Sequence, residues 1–203
     1  YHIDREPCET GCEKCVEACK YNAINLNMEG ETYEFDVASI VFATGWKPYD
    51  AKKLKNLGFS KSPDVINNVM MERLASVSGP TKGKILRPSN QQPVQSIAFV
   101  QCAGSRDENH LPYCSSICCL GSLKQANYIL EQNPDSQVTI FYIDIRTAGK
   151  YEDFVATVQN HPNVEMIKGK VANIVLGQTG NPVVEAEDIL KQQMVSREYD
   201  LVV

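Results

Sequence analysis

The chain has 203 residues, of which 20 are Lys or Arg and 25 are Asp or Glu, so its formal net charge is −5. This acidic balance argues against a surface that binds nucleic acid. With 43 % hydrophobic and 22 % charged residues the composition is that of a globular protein. No apolar run approaches the roughly 20 residues that a membrane-spanning helix needs. The eight cysteines fall into two tight groups, and these groups carry most of the functional information.

The amino-terminal part of the chain is predicted to be a cysteine-rich segment followed by one buried strand. The cysteine-rich segment covers residues 1–27. Residues 38–43 form a continuous apolar run that is typical of a buried strand, and the run ends at Thr44 and Gly45. Because the stretch that follows is polar and rich in lysine, we place a domain boundary after residue 50.

The remainder, residues 51–203, is predicted to form an α/β domain. A helix is expected to begin at Ser62, where a hydroxyl cap precedes a proline and an acidic residue, and to end before Gly79. The elements predicted after it are a strand at 95–101, a helix at 116–132, a strand at 138–145, a helix at 151–159, and strands at 164–176, 182–189 and 193–203. This order is typical of a Rossmann-like domain that ends in a β-meander.

The first cysteine group has the spacing C-x3-C-x2-C-x3-C and consists of Cys8, Cys12, Cys15 and Cys19. Gaps this short bring four thiolates onto one metal centre, and Gly11 permits the sharp turn between them. The pattern is similar to the bacterial ferredoxin run, except that the first gap is one residue longer and Lys20 replaces the usual proline. It favours a [4Fe–4S] cluster, with a structural zinc site and free or disulfide-linked thiols as alternatives.

The second cysteine group has the spacing C-x11-C-x3-C-C and consists of Cys102, Cys114, Cys118 and Cys119. It lies between a predicted strand and helix, where a dinucleotide-binding domain carries G-x-G-x-x-G. Only Gly104 could serve that purpose here, which argues against a pyridine-nucleotide site. A helix N-terminus suits the negative charge of a cluster held by thiolates. Adjacent cysteines also suit a redox-active thiol pair or small buried side chains, so spacing alone leaves the choice open.

Several segments, taken together, resemble one known family. The sequence reads SIVFATG at 39–45, ERLASVSGP at 72–80 and QCAGSRD at 101–107, followed by the cysteines of the second group. These segments resemble the A-type flavoprotein subunit of heterodisulfide reductase. They resemble still more closely the A and B subunits of the quinone-interacting membrane-bound oxidoreductase complex associated with adenylylsulfate reductase.

The resemblance implies a fragment of a flavoprotein with two dinucleotide-binding domains. Residues 1–50 would be the end of an FAD domain with a ferredoxin-like cysteine segment, and residues 51–203 a Rossmann-like second domain. Because the chain begins with Tyr1 rather than Met, the glycine fingerprint for FAD is expected upstream in a longer polypeptide.

The resemblance also implies which residues meet the cofactors. FAD would lie beside Ala43, Thr44 and Gly45, and Trp46 would either flank it or pack as a core aromatic residue. The second cysteine group would hold an unusual [4Fe–4S] cluster, which gives one or two clusters in the chain.

The resemblance implies electron transfer as the function. No constellation of side chains for bond-making chemistry stands out, so the chemistry would belong to the cofactors. The chain would link a quinone pool, through a membrane-bound partner subunit, with adenylylsulfate reductase. A heterodisulfide reductase subunit is the alternative, and a zinc-stabilised module or a pyridine-nucleotide-dependent reductase are further ones. We expect a cytoplasmic protein that reaches the membrane only through its partner subunits and binds no nucleic acid.

Overall fold

The computed structural model describes residues 3, 4 and 6–203. It divides into two compact units, Tyr1–Gly45 and Trp46–Val203. In the described residues the α-helices are α1 Lys14–Ala18, α2 Asn68–Ala75, α3 Cys118–Gln132 and α4 Glu152–Gln159, and two short 3-10 helices cover Ala51–Lys53 and Lys55–Leu57. The strands there are β1 Ser96–Val100, β2 Gln137–Tyr142, β3 Val164–Lys168, β4 Val171–Leu176, β5 Pro182–Asp188, β6 Gln193–Glu198 and β7 Leu201–Val202.

In the described residues of the first unit, α1 is the regular element and no strand is present. The predicted buried strand at 38–43 is therefore wrong, and Val41 within it is 86 % exposed. A strand is held by hydrogen bonds to a neighbouring strand, and the described part of this unit supplies none. The predicted sharp turn at Gly11 is confirmed, because this glycine has a φ of +80°.

The second unit is built on a parallel sheet with the strand order β3-β2-β1-β7. Helix α3 connects β1 to β2, and α4 connects β2 to β3. Strand β7 then joins the opposite edge of β1, running parallel to it. This arrangement matches the order 3-2-1-4 of dinucleotide-binding folds and confirms the predicted α/β class.

Both faces of the parallel sheet are covered. On one face Ile97 and Phe99 of β1 pack in a core with Leu123 of α3. On the other face Ala98 of β1 belongs to a second core with Val184, from the antiparallel sheet β4-β5-β6. Because neighbouring positions of β1 face two different cores, the strand reads as an unbroken apolar run in the sequence.

Helix α2 begins later than its sequence signals predict. The predicted start at Ser62 is wrong, because the Asn67 side chain caps the helix instead. The carboxylate of Asp64 is buried and binds Arg87 at 3.0 Å, so it does not serve a helix terminus. The backbone N–H of Ile66 donates to β7 at 2.9 Å, which keeps this stretch extended. Tertiary pairing therefore overrides the local helix signals.

The carboxyl-terminal strands form the predicted meander but are more finely divided. The stretch predicted as one strand at 164–176 is split into β3 and β4 at Gly169. A Cβ atom on this glycine would lie 1.8 Å from the carbonyl oxygen of Glu187, so only a glycine fits. The stretch at 193–203 is split into β6 and β7, and the two strands belong to different sheets.

Candidate functional site

A cleft opens at the carboxyl end of β1 in the second unit. From β1 the chain crosses over to β2 and then to β3 on one side of β1, whereas β7 lies on the other side. The direction in which strands are added to the sheet therefore reverses at β1. Open α/β sheets bind their ligands at such a reversal, outside the carboxyl ends of the strands. The cleft has a volume of about 580 Å³, and Trp46, Tyr49, Cys102, Tyr113 and Cys118 are among the residues that line it.

The loop between β1 and α3 folds back on itself and returns the chain to this cleft. The backbone N–H of Leu111 donates to the carbonyl of Gly104 at 3.0 Å, and that of Arg106 donates to Tyr113 at 3.1 Å. These bonds close the long segment between the first and second cysteines of the group. Cys114 follows Tyr113 directly, so it is carried back toward the start of the loop.

Each of the four thiols of the second group comes within electrostatic range of at least one other. Cys102 and Cys119 are buried, and Cys114 and Cys118 are partly buried. Burial is the largest cause that raises the pKa of Cys102, and the charges of Cys118 and Cys119 raise it further. Burial likewise raises the pKa of Cys119 most, with added contributions from Cys114 and Cys118. The structure thus gathers the four predicted ligands in one region.

One of these thiols receives a hydrogen bond that favours a thiolate, and a second lies beside a hydroxyl group. The backbone N–H of Ser116 donates to the Sγ atom of Cys114 at 3.4 Å, and this bond is the main reason that the pKa of Cys114 is lowered. The hydroxyl of Ser115 lies 3.2 Å from the Sγ atom of Cys118. Helix α3 begins at Cys118, and its N-cap residue Ile117 has no polar side chain to cap the first turn. The positive end of this helix therefore lies at Cys118 and Cys119.

Two residues of this site, one of them a cysteine of the second group, have an unusual backbone conformation. Cys102 and Ser116 have φ values of +53° and +58°, in the left-handed region that residues other than glycine rarely adopt. Such strain persists only where the surrounding structure enforces it, and it is common at functional sites.

The donor chemistry of this site fits an iron–sulfur cluster. All four cysteines are free thiols, and tetrathiolate coordination with N–H groups directed at sulfur is typical of such clusters. Gln101, beside Cys102, is 3 % exposed, and neither polar atom of its side chain finds a partner within the described chain. Among the residues that the structure describes, no three Cys, His, Asp or Glu side chains already stand in coordinating geometry. The ligand set therefore stays a prediction.

The first cysteine group is arranged around the short helix α1. Cys15 lies within the helix and Cys19 caps its carboxyl end. The backbone N–H of Ala23 donates to the Sγ atom of Cys19 at 3.3 Å. This bond and a further one from Tyr21 lower the pKa of Cys19. Cys8, Cys12, Cys15 and Cys19 are all free thiols, and their role as ligands stays a prediction.

The residues predicted to lie beside FAD fall into both units. Ala43, Thr44 and Gly45 are exposed residues at the end of the first unit, and Gly45 has a φ of +76°. Trp46 opens the second unit, lines the cleft and is 62 % exposed. The alternative that Trp46 is a core aromatic residue is therefore wrong, whereas the contacts of all four residues with FAD stay predictions.

Sequence reasoning missed a charged cluster beside the thiols. Arg106 binds Asp144 at 2.5 Å, and Asp107 binds Lys170 at 3.0 Å. Arg146 also binds Asp144, at 3.2 Å. The carboxyl ends of neighbouring parallel strands meet at one edge of a sheet. The residues directly after β2 could therefore have been placed near those after β1.

Comparison with known proteins reveals homologues that belong to heterodisulfide reductases. No protein-family model matches the chain. The A subunit of the Ferredoxin/F(420)H(2)-dependent CoB-CoM heterodisulfide reductase of Methanosarcina acetivorans is 42 % identical over 203 residues, covering 99 % of this chain and 25 % of that protein. The A subunit of the H(2):CoB-CoM heterodisulfide,ferredoxin reductase of Methanothermobacter marburgensis is 36 % identical, covering 99 % of this chain and 31 % of that protein.

The chain thus spans between a quarter and a third of the length of these relatives. Their names support the heterodisulfide reductase alternative better than the predicted link to adenylylsulfate reductase. Among solved structures, L-lysine 6-monooxygenase from Pseudomonas syringae shares 11 % identity, with 79 % of this chain and 43 % of that chain covered and a TM-score of 0.45. A similarity this weak carries no weight for the fold, which rests on the strand order of the sheet.

Proposed function

We propose that the chain is an electron-transfer segment of a flavoprotein subunit of the heterodisulfide reductase type, working as an oxidoreductase with iron–sulfur clusters and FAD. The observation that carries the proposal is the gathering of four free thiols at the carboxyl end of β1. The fold would offer a nucleotide site there, but the glycine fingerprint is missing. The 42 % identity to a heterodisulfide reductase subunit supports the same function.

The second cysteine group would hold one [4Fe–4S] cluster, which takes up and releases single electrons when bound. Cys102 and Cys119 would supply thiolates from the buried side of the site, where water is excluded. Ser116 would stabilise the charge on Cys114 through its backbone N–H. Exclusion of water and hydrogen bonds to sulfur are two of the means by which a protein sets the potential of such a group.

The first cysteine group would hold a second [4Fe–4S] cluster. The backbone N–H groups around Cys19 suit a sulfur atom that carries negative charge. The exposed position of Cys8 would leave this cluster close to the surface, within reach of a protein partner. Structural zinc remains the alternative for this group, because four nearby thiolates also suit that ion.

FAD would supply two-electron chemistry, and Trp46 would contact it from the cleft. An exposed tryptophan on the wall of an apolar cleft offers a flat surface to a planar ring system. Ala43, Thr44 and Gly45 are assigned to the same cofactor by sequence resemblance alone. Gly45 would let the backbone turn at a point where its φ of +76° disfavours other residues.

The proteins with which the chain would exchange electrons are a separate part of the proposal. A place in a quinone-interacting membrane-bound complex, with adenylylsulfate reductase as electron partner, rests on sequence resemblance alone, as does a cytoplasmic location at the membrane. In the described part of the chain no helix has the length and apolar character to cross a membrane. Partner subunits that co-purify with the protein from its native source would decide between this complex and a heterodisulfide reductase.

Metal and sulfide analysis tests the proposed function directly. The chain is purified anaerobically, and its visible spectrum, iron, acid-labile sulfide and zinc are measured. We expect broad absorbance that bleaches with dithionite, and equal amounts of iron and sulfide. Stoichiometric zinc without sulfide would overturn the proposal and favour a zinc-stabilised module.

Two reciprocal variants assign the clusters to the two groups. Changing Cys118 and Cys119 to serine is expected to remove about half of the iron, and changing Cys15 and Cys19 to serine is expected to remove the other half. Each variant serves as the control for the other, because both lose two thiols. If the Cys118 and Cys119 variant keeps all of its iron, the second group is not a cluster site.

A further inference from the structure

We propose that Arg106 and Arg146, held together by Asp144, raise the reduction potential of a cluster bound at the second cysteine group. The inference rests on the proposed function, because it requires a cluster at these thiols. It assigns a specific task to three residues outside the ligand set. All three belong to the second unit, as do the thiols.

One carboxylate fixes both guanidinium groups. The Nη1 atom of Arg106 lies 2.5 Å from Oδ1 of Asp144, and the Nη2 atom of Arg146 lies 3.2 Å from Oδ2. Each arginine therefore uses a different oxygen, so neither displaces the other. The two arginines and the aspartate together carry a net charge of about +1, which is held in place by ion pairs.

The charged cluster lies against the thiol site through Asp144. The backbone carbonyl of Asp144 accepts a hydrogen bond from the Sγ atom of Cys119 at 3.8 Å. The carboxylate of the same Asp144 binds both Arg106 and Arg146, and Arg106 lies in the loop after β1, four residues after Cys102. A single residue therefore holds both guanidinium groups beside a predicted ligand.

Electrostatics gives the direction of the effect. A [4Fe–4S] core of charge 2+ held by four thiolates has a net charge of about −2, and one added electron takes it to about −3. A nearby positive charge stabilises the more negative, reduced state more than the oxidised state, and so raises the potential. Because both arginines are partly exposed, salt screens part of this effect.

A purely structural role would have a different consequence. The bond between Arg106 and Asp144 ties the loop after β1 to the segment after β2, and this tie alone would affect stability. The potential of the cluster responds instead to charge. Substitutions that keep or remove charge at one position therefore separate the two roles.

The test is a redox titration of the second cluster, in which the electron paramagnetic resonance signal of the cluster measures the fraction that is reduced. Cys8, Cys12, Cys15 and Cys19 are changed to serine, so that only the second group can hold a cluster. The protein is reconstituted anaerobically with iron and sulfide, and dithionite supplies the electron. Iron and sulfide contents are measured for every variant, which reports cluster binding separately from potential.

Removing either positive charge is expected to lower the potential. For Arg106→Gln and for Arg146→Gln we expect the ratio of reduced to oxidised cluster at a fixed ambient potential to fall about tenfold. This change corresponds to about 59 mV for a one-electron couple. Asp144→Asn is expected to shift the ratio in the opposite direction, and all three shifts should shrink as salt is added.

Two kinds of control separate charge from structure. Arg106→Lys and Arg146→Lys keep the charge without the planar fork, and we expect them to retain the original ratio within about twofold. Arg197→Gln is the matched control, because Arg197 also pairs with a carboxylate, that of Glu165, and is similarly exposed. Arg197 lies on β6 of the antiparallel sheet and pairs with Glu165 of β3 rather than with a residue beside the thiols, so its loss is expected to leave the potential unchanged.

The outcomes are distinguishable. If the background protein binds no iron and sulfide, the proposed function fails and this inference fails with it. If the cluster is present but both glutamine variants titrate like the background protein, the inference is wrong while the proposed function stands. Lysine variants that shift the ratio as far as the glutamine variants would also overturn it, because charge would then not be the cause.

Discussion

At the scale of single residues, the strongest test of the fold is the ion pair between Asp64 and Arg87. Asp64 is 2 % exposed, binds Arg87 at 3.0 Å and accepts a hydrogen bond from the hydroxyl of Ser89 at 2.6 Å. We expect Asp64→Ala to lower the free energy of unfolding by about 3–5 kcal/mol, because it leaves the guanidinium buried without this partner. Urea denaturation followed by circular dichroism measures the change.

The matched control is Asp135→Ala, at an exposed carboxylate in the turn before β2. We expect this variant to stay within about 0.5 kcal/mol of the original chain. An equal decrease in the free energy of unfolding of the two variants would show that the buried ion pair of Asp64 contributes no more to stability than an exposed carboxylate does.

The same scale shows why some site residues were predictable and others were not. Both cysteine groups were recognised because their short spacings are visible in the sequence. The partners of Arg87 and Arg106 were not, because they lie 23 and 38 residues away and are brought close only by the sheet. Local sequence can identify a ligand type, but the charges around the ligand depend on tertiary structure.

At the scale of secondary-structure elements, two glycines are expected to respond oppositely to the same substitution. Gly121 lies in α3 and a Cβ atom there would meet nothing within 4 Å, whereas at Gly169 it would meet the carbonyl of Glu187. Gly121→Ala should raise the free energy of unfolding by about 0.5–1 kcal/mol, because alanine loses less backbone entropy in a helix. Gly169→Ala should lower it by about 1–3 kcal/mol, because the backbone must shift.

Thermal and urea unfolding of the two variants, side by side, provide the measurement, and each variant is the other's control. A stabilising effect of Gly169→Ala would contradict the close approach of β5 to the segment between β3 and β4. A loss of stability in Gly121→Ala would mean that the first turn of α3 is not helical as described.

Elements with a strong periodic signal were predicted well, and the errors have a common cause. Helices α3 and α4 and strands β1 and β2 lie within a few residues of their predicted positions. The predictions of a strand at 38–43 and of a helix start at Ser62 were wrong, because both depend on pairing with a neighbouring strand. Residues 38–43 have no strand to pair with in the described part of the chain. The residues after Ser62 do pair, with β7, and this pairing keeps them out of the helix.

At the scale of the whole molecule, the two units differ in what can stabilise them. The second unit has two apolar cores, one on each face of its parallel sheet. Among the described residues of the first unit, none is buried. A segment of this size without an apolar core usually depends on metal or disulfides for its fold, and its four cysteines are free thiols.

Removing iron is therefore expected to affect the two units differently. In a chain stripped anaerobically with a chelator, trypsin should cut the first unit, for example after Lys14 and Lys20, at least tenfold faster than in the loaded chain. The second unit should keep a cooperative thermal transition, because its cores do not depend on iron. Mass spectrometry of the fragments and circular dichroism measure the two responses.

The control is the variant in which Cys8, Cys12, Cys15 and Cys19 are changed to serine. Its first unit should be cut equally fast with and without iron, because it has no ligands through which iron could stabilise it. A first unit that resists trypsin in the stripped chain would contradict the dependence on metal. Loss of the cooperative transition on stripping would instead show that the second unit also needs its cluster to fold, despite its two cores.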